Sequence, residues 1–152
     1  MLIRGTELQD KTILEIGKFT VLWGLFERKY CSNPNDKHNR EPLAEMYSRI
    51  SISDRLKETF SKRLHHRWQI TQDDSYTEDG LHPDGANQSS VKQMELMKVF
   101  MEAPLGADSN AGCLLIIRRI RNNMMHGLKD VGDLDAQVSL FRAMNDILES
   151  IT

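Results

Sequence analysis

The chain has 152 residues, of which 39% are hydrophobic, enough to form the core of one domain spanning residues 1–152. Its formal net charge is −2, so any contact with nucleic acid must come from a local basic patch rather than from the overall field. No stretch has the length and apolar character of a membrane span or of the core of a signal peptide. We therefore expect a single cytoplasmic domain that has no membrane partner.

The two cysteines, Cys31 and Cys113, match no zinc-binding or redox spacing. We expect both to be buried, reduced thiols, and the sequence predicts neither a metal nor a cofactor.

The first 31 residues are predicted to contain one long helix. Thr6-Glu7-Leu8-Gln9 fits a capping box at its start, and the helix is expected to end near Cys31. Between these points, apolar residues recur at steps of three and four, which predicts one buried stripe. The stripe consists of Ile16, Phe19, Trp23, Phe26 and Tyr30.

A second helix is predicted with Pro42 in its first turn, where proline is well tolerated. Its inner face would carry Leu43, Met46, Tyr47 and Ile50. The segment 51–54 either breaks this helix or bends it. Ser53 is placed to cap a continuation toward Trp68.

Residues 69–88 have no helical period and contain five acidic residues with no Lys or Arg. Since such a segment is long for a compact domain, we expect a long acidic loop that is either mobile or a functional lid. The acidic residues lack the alternating positions of a calcium-binding loop, so no metal is predicted there.

The remaining pattern is helical. A third helix is predicted from Ser89 or Ser90 to Pro104, which cannot continue a helix, and the last helix is predicted to begin near Asp133. A fourth helix lies between them. No strand is predicted, so the fold class is all-α, an antiparallel bundle of four to five helices.

The fourth helix, from Asp108 or Ser109 to Gly127, carries the polar residues that indicate chemistry. At about 100° per residue, two faces separate. The apolar face carries Cys113, Ile116, Ile117, Ile120 and Met124, and the opposite face carries Arg118, Arg119, Asn122 and His126.

Three of the polar residues fit the cleavage of RNA by its own 2′-hydroxyl. Asn122 and His126 are four residues apart, so they stack on adjacent turns, and Arg121 can curl toward them from the border of the apolar face. An imidazole gives and takes protons near neutral pH, and a guanidinium fork matches phosphate oxygens. Asn122 can hold a phosphate or fix the imidazole tautomer.

The segment Ile120-Arg121-Asn122-Asn123-Met124-Met125-His126-Gly127 resembles the hallmark motif of HEPN domains (higher eukaryotes and prokaryotes nucleotide-binding). That motif is Arg, a polar residue that is often Asn, three further residues and His, at the end of the penultimate long helix of a bundle. The first helix, with Val21-Leu22-Trp23-Gly24-Leu25-Phe26, also looks like the aromatic-rich first helix of several such families.

The resemblance implies a metal-independent endoribonuclease, acting as a toxin, in phage defence or in RNA processing. Arg121 and His126 would be catalytic and Asn122 a supporting residue. The partners implied are RNA and a second copy, in a homodimer whose two motifs face one cleft. Arg118 and Arg119 are further candidates for phosphate contact, on the helical wheel alone.

One position departs from the pattern. Toxins paired with a nucleotidyltransferase antitoxin commonly carry a Tyr two residues after the His, where this chain has Leu128. This weakens the expectation of such an antitoxin and leaves open another protein partner. The alternative function is a non-catalytic HEPN-like module that binds nucleotides or proteins and dimerises.

Overall fold

A computed structural model of the chain describes residues 2–3, 5–31, 42–64, 88–126 and 131–152. Among these residues, 83% are helical and six α-helices are present with almost no strand. The predicted all-α class is therefore confirmed. Most of the predicted acidic loop, residues 69–87, lies outside the described residues.

The elements follow one another in a simple order. They are β1 (Leu2–Ile3), β2 (Thr6–Glu7), α1 (Asp10–Tyr30), α2 (Leu43–Ser48), α3 (residues 54–64), α4 (Gln88–Glu102), α5 (Asn110–His126) and α6 (Val138–Ile151). Two short 3₁₀ helices, Ala107–Ser109 and Val131–Gln137, lead into α5 and α6. No helix in the described part of the chain is long and apolar enough to cross a membrane.

The predicted capping box at Thr6 is wrong, because Thr6 belongs to a small antiparallel hairpin. Ile3 pairs with Thr6 across a turn in which Gly5 has φ 78°, a conformation that favours glycine. The helix begins only at Asp10, after a residue whose side chain makes no capping hydrogen bond.

A carboxylate from a distant part of the chain lies at the start of α1 instead. Asp135 Oδ1 accepts a hydrogen bond from the backbone N–H of Gln9 at 3.1 Å and another from the Thr12 hydroxyl. A negative charge at a helix N-terminus is favourable, so Asp135 ties the segment before α6 to the start of α1.

The predicted stripe of α1 faces the core. Phe19, Trp23 and Phe26 are buried, and Phe19 meets Phe141 of α6 edge-on with ring centroids 5.5 Å apart. Helices α1 and α6 pack along each other, and this contact forms one side of the bundle.

The segment 49–53 breaks the second helix rather than bending it. Ile50 and Ile52 are both buried, although two residues two apart would point to nearly opposite sides of a helix. Ser53 caps α3, since its hydroxyl accepts a hydrogen bond from the backbone N–H of Leu56 at 3.4 Å. This break gives six helices where four to five were predicted.

Helix α5 lies at the centre, against α4 and α2. A Cβ on Gly112 would overlap the carbonyl oxygen of Leu96 and lie 2.9 Å from the Cβ of Phe100. The absence of a side chain at this position therefore lets α4 and α5 approach closely.

Candidate functional site

The burial of α5 changes along its length. Every residue from Asn110 to Ile117 is buried, including Leu114 and Leu115, so the helix is enclosed on all sides rather than on the one predicted face. From Arg118 onward the polar residues become partly exposed while Ile120 stays buried. The candidate motif therefore lies where a buried helix emerges from the core.

The Lys57 side chain anchors the buried end of α5. Its ammonium group is almost fully enclosed and donates hydrogen bonds to the Gly106 carbonyl at 2.5 Å, to Ser109 Oγ at 3.0 Å and to Asn110 Oδ1 at 2.7 Å. The exposed Asp54 carboxylate lies 3.3 Å from the Lys57 ammonium and neutralises its positive charge. Nothing in the sequence pattern distinguished this lysine from the exposed ones.

Arg121 and Asn122 form a pair at the emerging end. Both are half-buried, and Arg121 Nη1 donates a hydrogen bond to Asn122 Oδ1 at 3.2 Å. Neighbouring residues on a helix point about 100° apart, so this bond requires the arginine to curl around the helix. The bond uses the amide oxygen of Asn122 and leaves its amide NH₂ as a hydrogen-bond donor.

The backbone of α5 stays helical through His126, its last residue. Four residues separate Asn122 from His126, so the two occupy adjacent turns of one continuous helix, as predicted. The His126 side chain and Gly127 lie outside the described residues. The backbone therefore brings all three motif residues to one end of α5.

Arg118 lies toward α1 and α2. Its positive charge acts on Cys31, at the end of α1, and on Tyr47 of α2. Burial and the charge of Glu27 raise the pKa of the Cys31 thiol, while the Tyr47 hydroxyl and Arg118 oppose that rise. Burial likewise raises the pKa of Tyr47, so at neutral pH both groups are protonated.

This cluster of Glu27, Cys31, Tyr47 and Arg118 was missed by the sequence reasoning, which assigned Tyr47 only to a core face. Cys31 is half-buried rather than buried, whereas Cys113 is buried as expected, and both are free thiols. Because its pKa is raised, the Cys31 thiol is not activated as a nucleophile.

Arg119 is half-buried, and its Nε and Nη2 atoms are shielded from solvent. Arg118 therefore faces the cluster at Cys31 and Tyr47, while Arg119 packs partly inside the protein. Both differ from Arg121 in their surroundings. The described residues contain no cluster of three His, Cys, Asp or Glu side chains that could hold a metal ion.

Comparison of the chain with models of protein families, with curated proteins and with solved structures gives no match.

Proposed function

We propose that this protein is a metal-independent endoribonuclease of HEPN type, with Arg121, Asn122 and His126 as its site. The observation that carries the proposal is the pairing of Arg121 with Asn122 on the last turns of α5, one turn before His126. It supplies a guanidinium fork and an amide donor where the helix leaves the core. These are groups that hold a phosphate diester.

The chemistry assigns one role to each residue. The His126 imidazole accepts the proton of a ribose 2′-hydroxyl, whose oxygen then attacks the adjacent phosphorus. Arg121 stabilises the extra negative charge on the five-coordinate phosphorus. The 5′-oxygen leaves and takes up a proton, so the products carry a 2′,3′-cyclic phosphate and a 5′-hydroxyl.

Asn122 supports this reaction by holding Arg121. A long arginine side chain loses considerable conformational freedom when it binds a phosphate, and an internal hydrogen bond removes part of that cost beforehand. Because the Asn122 oxygen already accepts a hydrogen bond from Arg121, the groups that remain on the pair are N–H donors. Such a pair favours an anion rather than a cation. Arg118 and Arg119 lie on the preceding turn of the same helix and are proposed as weaker phosphate contacts.

The biological setting is part of the same proposal. RNA is the partner that the chemistry requires, and a role as a toxin or a phage-defence effector, with or without an antitoxin, follows from the HEPN resemblance. A homodimer with two motifs facing one cleft follows from the same resemblance.

A mixed RNA pool incubated with protein in excess EDTA tests the proposal. We expect wild type to cut, His126→Ala to lose at least about a hundredfold in rate, and His38→Ala to cut as wild type does. A folded wild type that binds mononucleotides or RNA without cutting would instead favour a non-catalytic binding module.

A further inference from the structure

The Lys57 ammonium lies among four oxygen atoms. The Gly106 carbonyl oxygen, Ser109 Oγ and Asn110 Oδ1 lie 2.5, 3.0 and 2.7 Å from Lys57 Nζ. The fourth is Asp54 Oδ1, at 3.3 Å. Lys57 is only 1% exposed, so its ammonium contacts these oxygens rather than solvent. This oxygen cage joins the start of α3, the turn before α5 and the first residue of α5.

All four oxygens of the cage act as acceptors toward the ammonium. Carbonyl, carboxylate and amide oxygens can only accept hydrogen bonds. The Ser109 hydroxyl donates its one hydrogen to the Pro104 carbonyl at 2.6 Å or to the Gly106 carbonyl at 2.9 Å. Toward Lys57 it therefore accepts as well. A primary ammonium group brings three N–H donors and no lone pair, so the cage is complementary to that group and not to a neutral amine or a water molecule.

The size and charge of the cage also fit a monovalent ammonium ion. Three of its distances, from 2.5 to 3.0 Å, are those of charge-assisted N–H···O hydrogen bonds. Magnesium and calcium ions bind oxygens at about 2.0–2.1 Å and about 2.3–2.6 Å, and each takes at least about six ligands. The single carboxylate of the cage, from Asp54, balances one positive charge.

Hydrogen bonds that do not involve Lys57 hold the cage oxygens in place. Asp54 Oδ1 accepts a hydrogen bond from the backbone N–H of Gly106 at 2.9 Å. The backbone N–H of Ser109 donates to the Gly106 carbonyl at 3.3 Å, and Gly106 itself has φ 95°, a conformation that favours glycine. The turn therefore positions the oxygens by its own contacts, and their arrangement does not require a covalent link to the cation.

We propose that the oxygen cage is a binding site for one primary ammonium ion, which Lys57 supplies from within the chain. When residue 57 has a short side chain, the cage binds an external ammonium ion and α5 is anchored again. The lysine side chain serves to raise the effective concentration of the ion. The site does not rest on the proposed ribonuclease activity, since Asn110 and Arg121 are eleven residues, or about 16 Å, apart along α5.

Urea denaturation of Lys57→Ala in about 0.2 M ethylammonium chloride, followed by circular dichroism, tests the proposal. This substitution removes the last four heavy atoms of the lysine, and ethylammonium has three, so the ion fits without a bond to residue 57. We expect a dissociation constant of about 0.1 M, so the ratio of folded to unfolded protein should rise about threefold relative to tetramethylammonium chloride. Tetramethylammonium has the same charge but no N–H donor.

The matched control is Lys62→Ala, which removes an exposed ammonium from the same helix. Wild type and Lys62→Ala should unfold at the same urea concentration in the two salts. A Lys57→Ala protein that is unfolded in tetramethylammonium chloride should fold in ethylammonium chloride. Equal behaviour of Lys57→Ala in the two salts, whether folded or unfolded in both, would overturn the proposal.

A second variant tests the need for a positive charge. Lys57→Gln places a neutral amide at the cage, with two N–H donors and an oxygen that would oppose the other acceptors. It should unfold at a lower urea concentration than wild type does, and ethylammonium should not stabilise it because the amide blocks the cage. A Lys57→Gln protein as stable as wild type would show that a neutral donor satisfies the four oxygens, and the ammonium site would be wrong.

Discussion

The two halves of α5 have opposite surroundings within one continuous helix. The first half is enclosed on all sides, held by the close approach at Gly112 and by the buried Lys57 ammonium. The second half emerges with Arg121 and Asn122 hydrogen-bonded to each other and half-buried. A rigid buried half can hold the direction of an emerging half that is only partly buried, which is what a preorganised site requires.

The largest expected effect comes from adding one methyl group to the buried half. Gly112→Ala should lower the free energy of unfolding by about 3 kcal/mol or more, since the new Cβ would overlap backbone atoms of α4. Gly24→Ala is the matched control, where a Cβ meets nothing, and should raise that free energy by about 0.5–1 kcal/mol. Urea denaturation followed by circular dichroism measures both. Equal effects would remove the case for a tight α4–α5 contact.

The next effect comes from the Lys57 ammonium. Lys57→Met should lower the free energy of unfolding by about 2–4 kcal/mol, because the buried Ser109 and Asn110 side chains and the partly buried Gly106 carbonyl lose their charged donor. The control is Lys62→Met on the same helix, whose ammonium is exposed and lies 3.1 Å from Glu58; we expect a loss below about 0.5 kcal/mol. If the two variants unfold at the same urea concentration, the Lys57 network does not anchor α5.

Substitutions in the emerging half should lower the rate of RNA cleavage with little change in the free energy of unfolding. Asn122→Ala and Arg121→Lys should change the free energy of unfolding by less than about 0.5 kcal/mol, since both side chains are half-buried. RNA cleavage should fall about ten- to a hundredfold in each, because the first loses the support for Arg121 and the second loses the fork. Arg55→Ala, on the exposed face of α3, should cleave as wild type does. Variants that lose stability and activity together would place these residues in the core rather than in a site.

The smallest effect concerns the reactivity of Cys31. Because its pKa is raised, the thiolate fraction at pH 7 is below that of an ordinary thiol, so alkylation by iodoacetamide should be slow and should accelerate as pH rises above 9. Removing the negative charge with Glu27→Gln should lower that pKa and speed the reaction, whereas Arg118→Ala should slow it. Mass spectrometry of the modified protein follows the rate. The same rate in all three proteins would place Arg118 and Glu27 outside the cluster.

The sequence predicted the two regions of α5 unequally well. The helical period and the polar residues near its end placed Arg121, Asn122 and His126 on adjacent turns, because helix geometry depends only on local spacing. It did not predict that Leu114 and Leu115 are buried as well, since a central helix is recognised only when its neighbours are known. The roles of Lys57 and Gly112 were not predicted for the same reason. Both contact residues that lie about fifteen to fifty positions away in the sequence.

The same distinction explains the start of α1. Thr6 and Glu7 fit a helix cap by spacing, but pairing with Leu2 and Ile3 places them in a hairpin, and Asp135 occupies the capping position from the other end of the chain. Local patterns therefore predicted which segments are helical and the cap of α3 at Ser53, while the hairpin and the distant Asp135 decided where α1 begins.

The most direct test of the central claim is cleavage of an oligoribonucleotide in which the ribose at one mapped cut site is replaced by 2′-deoxyribose, with EDTA present. We predict that wild type no longer cuts at that position, still cuts at the unmodified sites and leaves 2′,3′-cyclic phosphate ends there. His126→Ala should cut at none of them. Cleavage at the 2′-deoxy position, or ends without the cyclic phosphate, would contradict attack by the 2′-hydroxyl and with it the role assigned to the emerging half of α5.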